Sequence, residues 1–284
     1  MREYIGKGKL IFPDIPEVEG DFKINFNDNG NTTLEFGTTF EKGHKLSELP
    51  WTIGKFQGLS TSPVCQIEIN QLYILGAEIG GGSLFPLLLK SKISYPVKII
   101  YRQLSSEKVE VRRDLTNFIF SGIEMVQQRD RLVRALTTCK INGTEVYFIR
   151  LPDFEQIKNH LIESKDVRVT CELKLQGYYK NLSILREICD NLQNLCSLSS
   201  GNFVTPLYEN IYNAEQICET TLFPLKTYPF SNSPSLIDNS FVGNKDFKDF
   251  IETTYQKYTN LKDKLGLSYF IEFFTTSKMY SPLK

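Results

Sequence analysis

Histidine is nearly missing from this chain: its 284 residues include only His44 and His160. Two imidazoles cannot assemble a histidine-rich metal site, and a serine or cysteine triad would have to be built on one of them. Neither accompanies a nucleophile motif such as G-x-S-x-G, so each reads as a surface or loop histidine. Cysteine is present but unpatterned. Cys65, Cys139, Cys171, Cys189, Cys196 and Cys218 contain no C-x-x-C pair, which argues against a zinc site or a disulfide framework and for buried reduced thiols. No metal and no cofactor is expected.

An excess of one charge is also missing. Lys+Arg and Asp+Glu each total 33, so no global field draws the chain to nucleic acid or to an anionic membrane. Long apolar runs are absent too. The longest, Leu84-Phe-Pro-Leu-Leu-Leu89, is far short of the roughly 20 residues that a membrane helix needs. The opening Met1-Arg-Glu-Tyr-Ile-Gly-Lys-Gly-Lys9 lacks the apolar core of a secretory signal. Together these absences predict a cytoplasmic protein without membrane association.

What is present is enough for a large core: 41% of residues are hydrophobic, with 20 Phe and 14 Tyr. Most aromatics belong in such a core, although exposed Tyr or the lone Trp51 could line a sugar or peptide groove. Period-two alternation dominates the first two thirds. Phe22, Ile24 and Phe26 share one face, Asn29-Gly30 offers a tight turn, and Leu34 and Phe36 resume the pattern, which predicts a hairpin. Further strand-like segments lie near residues 65–75, 84–89, 97–102, 108–112 and 117–120. A second turn at Asn142-Gly143 pairs the segment 144–151 with the one before it. The cleanest alternation runs from Val167 to Leu175. Such spacing suggests a sandwich or barrel.

Helical periods follow. Asp153 with Gln156 resembles a capping box ahead of the stripe Phe154, Ile157, Leu161 and Ile162. Leu185, Ile188, Cys189, Leu192, Leu195 and Cys196 mark a buried helix that Gly201 can end. Residues 202–243 show little periodicity and read as a long connection with at most one short helix. Asp246–Leu265 and Ser268–Lys278 read as two more helices. The expected fold class is α+β: a β-rich, sandwich-like domain over residues 1–178, then a helical connector over residues 179–284.

Chemistry-bearing motifs are sparse. Gly80-Gly-Gly-Ser83 lacks the pattern of a phosphate-binding loop and reads as a strand connection. Asp14, Glu17, Glu19 and Asp21 form an acidic cluster best read as a solvated loop. The best candidates for phosphate contacts are Arg112 and Arg113 together with Arg129, Arg131, Arg134 and Lys140. Aromatic interleaving there is weak, so a solvated basic face is favoured over a nucleic-acid footprint.

The segment Leu192-Gln-Asn-Leu195-Cys-Ser-Leu-Ser-Ser-Gly201-Asn-Phe-Val204 resembles the leucine-rich helix and following turn of ApeA-like bacterial anti-phage proteins. In that family it lies between a β-rich N-terminal region and a C-terminal HEPN domain. Gly6-x-Gly8, Gly20-Asp-Phe22 and Phe118-Ile-Phe-Ser-Gly122-Ile-Glu124 are similar to the same family in outline, so the resemblance spans most of the chain. It implies abortive-infection defence, in which the HEPN domain cuts RNA with an Arg-x4–6-His pair and the N-terminal region senses or regulates. This sequence departs there. The positions where the arginine is required hold Gly37, Thr38 and Thr39 before His44, and Asp153, Phe154 and Glu155 before His160. The chain also stops at Lys284, about where a HEPN bundle would begin.

The expectation is therefore a non-enzymatic sensor or regulatory module. Its partner would be a HEPN-type domain or protein, or the same chain in a homodimer, with a phage-derived ligand as trigger. Tyr269, Phe270, Phe273 and Phe274 are the candidate partner interface. The competing expectation is a carbohydrate- or ligand-binding sandwich unrelated to defence, with exposed aromatics and amides on one concave sheet face. An enzyme of unrecognised type would instead show titratable groups converging in one pocket.

Overall fold

The computed structural model describes residues 2–12, 17–27, 31–40, 53–73, 76–79, 85–104, 107–164, 167–224, 230, 235–237 and 245–277. The Asn29-Gly30 turn, the loop at residues 80–83, Asp14, His44, Trp51 and residues 278–284 lie outside them. In chain order the strands are β1 Arg2–Ile11, β2 Val18–Phe26, β3 Thr32–Phe40, β4 Ile53–Ser62, β5 Val64–Tyr73, β6 Gly76–Ile79, β7 Phe85–Ile93, β8 Val97–Ile100, β9 Lys108–Thr116, β10 Glu124–Gln128, β11 Arg131–Ile141, β12 Thr144–Arg150, β13 Val169–Tyr178, β14 Pro206–Asn213 and β15 Gln216–Leu222. The helices are α1 Phe154–Ser164, α2 Leu182–Ser200, α3 Asp246–Leu265 and α4 Leu267–Ser277. The chain is thus mixed α+β and richer in strand than in helix. No helix among the described residues is long and apolar enough to cross a membrane.

Two compact units emerge: residues 1–104 with 217–225, and residues 105–216 with 226–284. This division differs from the sequence-based one at residue 178. The reason is that β13 and α2 pack on one another, Gly177 leaving room for the Leu185 methyls. The chain then re-enters sheet after α2.

The first unit is an antiparallel sheet in the order β15-β8-β5-β4-β1-β2-β3-β7-β6. Its buried face carries Tyr4, Leu10, Phe22, Ile24, Phe26, Leu34, Phe36, Phe56, Ile67 and Ile69, the alternate positions that the pleat directs to one side. Gly8 and Gly58 also face inward, and a Cβ on either would collide with the Phe56 ring at 2.6–2.9 Å. The missing side chains let the ring lie flat over the backbone, where it meets Phe22 edge-on at 5.0 Å. The sheet curls far enough that β7 returns to β5, Ser91 donating to the Tyr73 carbonyl.

The second unit is a sheet in the order β10-β11-β12-β13-β9-β14, with helices on one face. Val111 and Leu115 of β9 and Leu173 and Leu175 of β13 are buried where those strands pack on α2, which returns Leu185, Cys189, Leu192 and Cys196. Gly201, in the left-handed conformation at φ 68°, ends α2 and donates to the Ser197 carbonyl at 2.9 Å, as the sequence predicts. α3 lies across the same layer. Phe247 joins Phe118, Phe120 and Phe148 in one aromatic cluster with centroids 5.1–6.4 Å apart, and Tyr255 and Tyr258 accept hydrogen bonds from Asn191 and Asn194.

Three expectations are corrected. Residues 117–120 form no strand; Asn117 sits at φ 58° and the segment turns Phe118 and Phe120 into the core. Residues 202–243 hold two strands, β14 and β15, rather than a connection. Asp153 does not cap α1 with its side chain but sits at φ 64° and pairs with Arg129.

Candidate functional site

The outer face of the second unit, opposite the helices, is where polar side chains converge. Register alone assembles them. Across β13, β9 and β14 the outward positions form rows: Gln176, Glu110 and Tyr212; then Lys174, Arg112 and Asn210; then Glu172, Asp114 and Tyr208. Tyr178 opposite Lys108 begins the next row. The Tyr178 end of this face forms a cleft of about 690 Å³ bounded by Lys108, Glu110, Arg112, Lys174, Gln176, Tyr178, Tyr212 and the turn residues Ala214 and Glu215.

Glu110 is the hub. Its carboxylate accepts from Arg112 Nε at 2.5 Å, Lys174 Nζ at 2.9 Å and Gln176 Nε2 at 2.7 Å. Partial burial would raise its pKa, but those three donors outweigh it and hold the carboxyl below its usual range. A carboxylate so engaged orients its neighbours and is poorly placed to take a proton. Arg112 is further fixed by lying over the Tyr212 ring, 4.4 Å from the centroid. Glu172 behaves oppositely. Burial, helped by the like charge of Glu110, raises its carboxyl against the pull of Arg112 and Lys174. Ala214 and Glu215 at the rim both adopt left-handed backbone, φ 49° and 65°, a conformation that costs non-glycine residues.

The sequence-level basic candidates do not come together. Arg112 lines the cleft, but its neighbour Arg113 points to the opposite face because successive strand residues alternate. Arg113 is 2% exposed and paired with Glu209 and Asp190, so it belongs to the core and not to a binding face. Arg129, Arg131 and Arg134 lie on the β10–β11 hairpin at the sheet edge. There Arg129 pairs with Asp153, Arg134 donates to the Ile123 carbonyl at 2.5 Å, and Arg131 is exposed. His160 is exposed on α1, its Nε2 3.2 Å from Arg168.

The aromatic candidates do come together. On α4, Tyr269 (81% exposed), Phe270 (58%) and Phe273 (71%) share one face, and half-buried Phe274 stacks on Phe270 at 6.3 Å. Ile271 and Thr275 turn inward on the other side.

The first unit has its own open concavity of about 1040 Å³, lined by Lys7, Lys9, Glu19, Asp21, Gln57 and Gln66 among others. It mixes both signs of charge. Glu17 of the acidic cluster pairs there with Lys9 at 2.8 Å.

Sequence reasoning missed Glu110, Lys174, Gln176, Tyr178 and Tyr212. Their signal is the polar half of each alternation, which on its own looks like an ordinary solvated strand face. No family model, curated protein or solved structure matches the chain.

Proposed function

We propose that the chain is a non-enzymatic sensor or regulatory module that docks a helical protein partner on the aromatic face of α4. The observation that carries this is the juxtaposition of Tyr269, Phe270 and Phe273, more than half exposed on a helix whose other face is buried. Three adjacent exposed aromatics with Glu272 as the one acidic residue of the helix make a surface suited to another apolar helix. The proposed partner class, a HEPN-type domain, and the proposed setting, cytoplasmic anti-phage defence, are what the resemblance to the N-terminal region of ApeA-like proteins implies. Six free, buried cysteines suit that compartment. A sandwich-like arrangement of the first unit fits the curl that returns β7 to β5.

Light scattering on mixtures of the full chain with a purified HEPN-type domain tests this. Complex formation that is lost in Tyr269→Ser/Phe270→Ser/Phe273→Ser supports it. A chain that only self-associates through these residues replaces the HEPN partner with a second copy. Identical masses for wild type and triple variant in every mixture would sink the docking role.

A ligand-binding role has its own observation, the cleft over β13, β9 and β14, where tyrosines, an amide and fixed charges converge on one sheet face. Calorimetric titration against small polar ligands reads it independently of α4.

A further inference from the structure

We propose, building on the ligand-binding reading of this cleft, that it binds an oxyanion, a carboxylate or phosphate group on a small molecule, through Arg112 and Lys174. The argument is a count of hydrogen-bonding capacity. The central acceptor is already engaged, since Glu110 takes N–H groups from three neighbours. Its donors are not exhausted. Arg112 spends Nε on Glu110, and its two terminal nitrogens have no hydrogen-bond partner among the described residues. Lys174 spends one of its three N–H groups, again on Glu110. What the middle of the cleft still offers is therefore donors, and donors held at fixed positions call for an oxygen-rich acceptor.

Preorganisation strengthens the case. The Arg112 fork is locked between the Glu110 carboxylate and the Tyr212 ring, so little side-chain freedom remains to be lost on binding. Tyr178, 47% exposed, stands on the next row and gives a ring on the ligand an apolar neighbour. Lys108 opposite Tyr178 adds positive charge, while Glu215 at the rim and Glu172 and Asp114 beyond Arg112 offset it. Together with Arg112, Lys174 and Glu110 this makes three cations against four carboxylates, so the anion is selected by directed hydrogen bonds and not by field.

The test is calorimetric titration of the full chain with inorganic phosphate, phenyl phosphate, benzoate and methyl glucoside. Saturable binding of the phosphates or of benzoate is expected, tighter for phenyl phosphate than for inorganic phosphate; the comparison with benzoate identifies the oxyanion. Arg112→Gln and Lys174→Gln should each weaken it about tenfold or more, the scale of a lost charge-assisted hydrogen bond. Arg112→Lys, which keeps charge but not the fork, should also weaken it, and Arg131→Gln should leave it unchanged. Oxyanion binding that persists in both glutamine variants overturns the assignment. Binding of methyl glucoside alone overturns the oxyanion and keeps the ligand reading, whereas binding of no probe overturns both.

Discussion

Arg113 on β9 and Glu209 on β14 form a buried ion pair, with Nε 3.0 Å and Nη2 2.5 Å from one carboxylate oxygen. Two residues of α2 complete it: Asp190 bonds Arg113 at 2.5 Å and Arg186 bonds Glu209 at 2.7 Å. Two cations and two carboxylates therefore fasten the helix to the inner face of the sheet. Burial opposes the charge on Arg113, yet Glu209 and Asp190 keep its guanidinium above even its ordinary range.

Removing one partner from such a pair is far more damaging than removing both. Glu209→Leu removes the buried carboxylate that faces Arg113, and a loss of about 3–5 kcal/mol is expected in urea unfolding. Arg113→Met/Glu209→Leu should recover much of that loss. A double variant as unstable as the sum of the singles would show that the pair adds no coupling.

The same carboxylate sets a pH dependence. Burial alone would raise Glu209, but Arg113 and Arg186 outweigh it and hold its pKa below the usual value. A depressed folded pKa stabilises fully above the unfolded value of about 4.3 and is lost as pH falls through the folded one. Wild type should therefore exceed Glu209→Gln in stability at neutral pH, with the gap closing in acid. Glu172 carries the opposite sign: its raised carboxyl costs stability when ionised, so Glu172→Gln should stabilise at neutral pH and lose that gain in acid. Chemical denaturation across pH checks both.

β14 shows why part of this fold was hidden in the sequence. Its inward positions are Leu207, Glu209, Ile211 and Asn213, so one core position is a carboxylate and another an amide, and the apolar alternation is broken. Nothing local announces that Arg113, distant in sequence, neutralises Glu209. β4 was obscured differently: its inward residues include Gly54, Gly58 and Ser60, small because the Phe12, Phe22 and Phe56 rings occupy that space. By contrast β2 buries Phe22, Ile24 and Phe26, β13 buries Cys171, Leu173 and Leu175, and α2 buries Leu185, Ile188, Cys189, Leu192, Leu195 and Cys196, apolar runs regular enough to be legible at once even though α2 also buries Asn191 and Ser197. The aromatic face of α4 could also be read, since helical spacing alone puts Tyr269, Phe270 and Phe273 together. The cleft could not, because its members meet only through cross-strand register.

The buried cysteines give a direct check on α2. Cys189 and Cys196 are fully buried against the sheet. Burial pushes the Cys189 thiol up to about 12 and Cys196 well above its usual value, which starves both of the reactive thiolate. Neither should react with a thiol reagent in native protein, and both should react in denaturant. Rapid native labelling would mean that the helix leaves the sheet.

The turn after β14 offers a stabilising change. Ala214 and Glu215 both hold left-handed backbone, which glycine adopts without steric cost. Ala214→Gly and Glu215→Gly should each raise stability by about 0.5–1 kcal/mol in urea unfolding. A loss in both would show that the turn relaxes rather than bearing strain.

The last prediction separates the two C-terminal helices, whose sequences look equally aromatic. On α3, Phe247, Ile251, Tyr255 and Tyr258 are buried, and Tyr255 and Tyr258 also receive hydrogen bonds from α2. Ile251→Ala should therefore cost about 2–5 kcal/mol, the transfer and cavity penalty of a core aliphatic. On α4, Phe273 is 71% exposed, so its removal takes little from the fold. Phe273→Ser should change stability by no more than about 0.5 kcal/mol, and it should reduce any partner binding that the α4 face supports. The two variants measured side by side in urea, at protein concentrations spanning any self-association, distinguish a docking surface from a core. A large loss in Phe273→Ser that does not vary with concentration would mean that this ring is held inside the protein's own fold, and the aromatic face would then be unavailable to a partner.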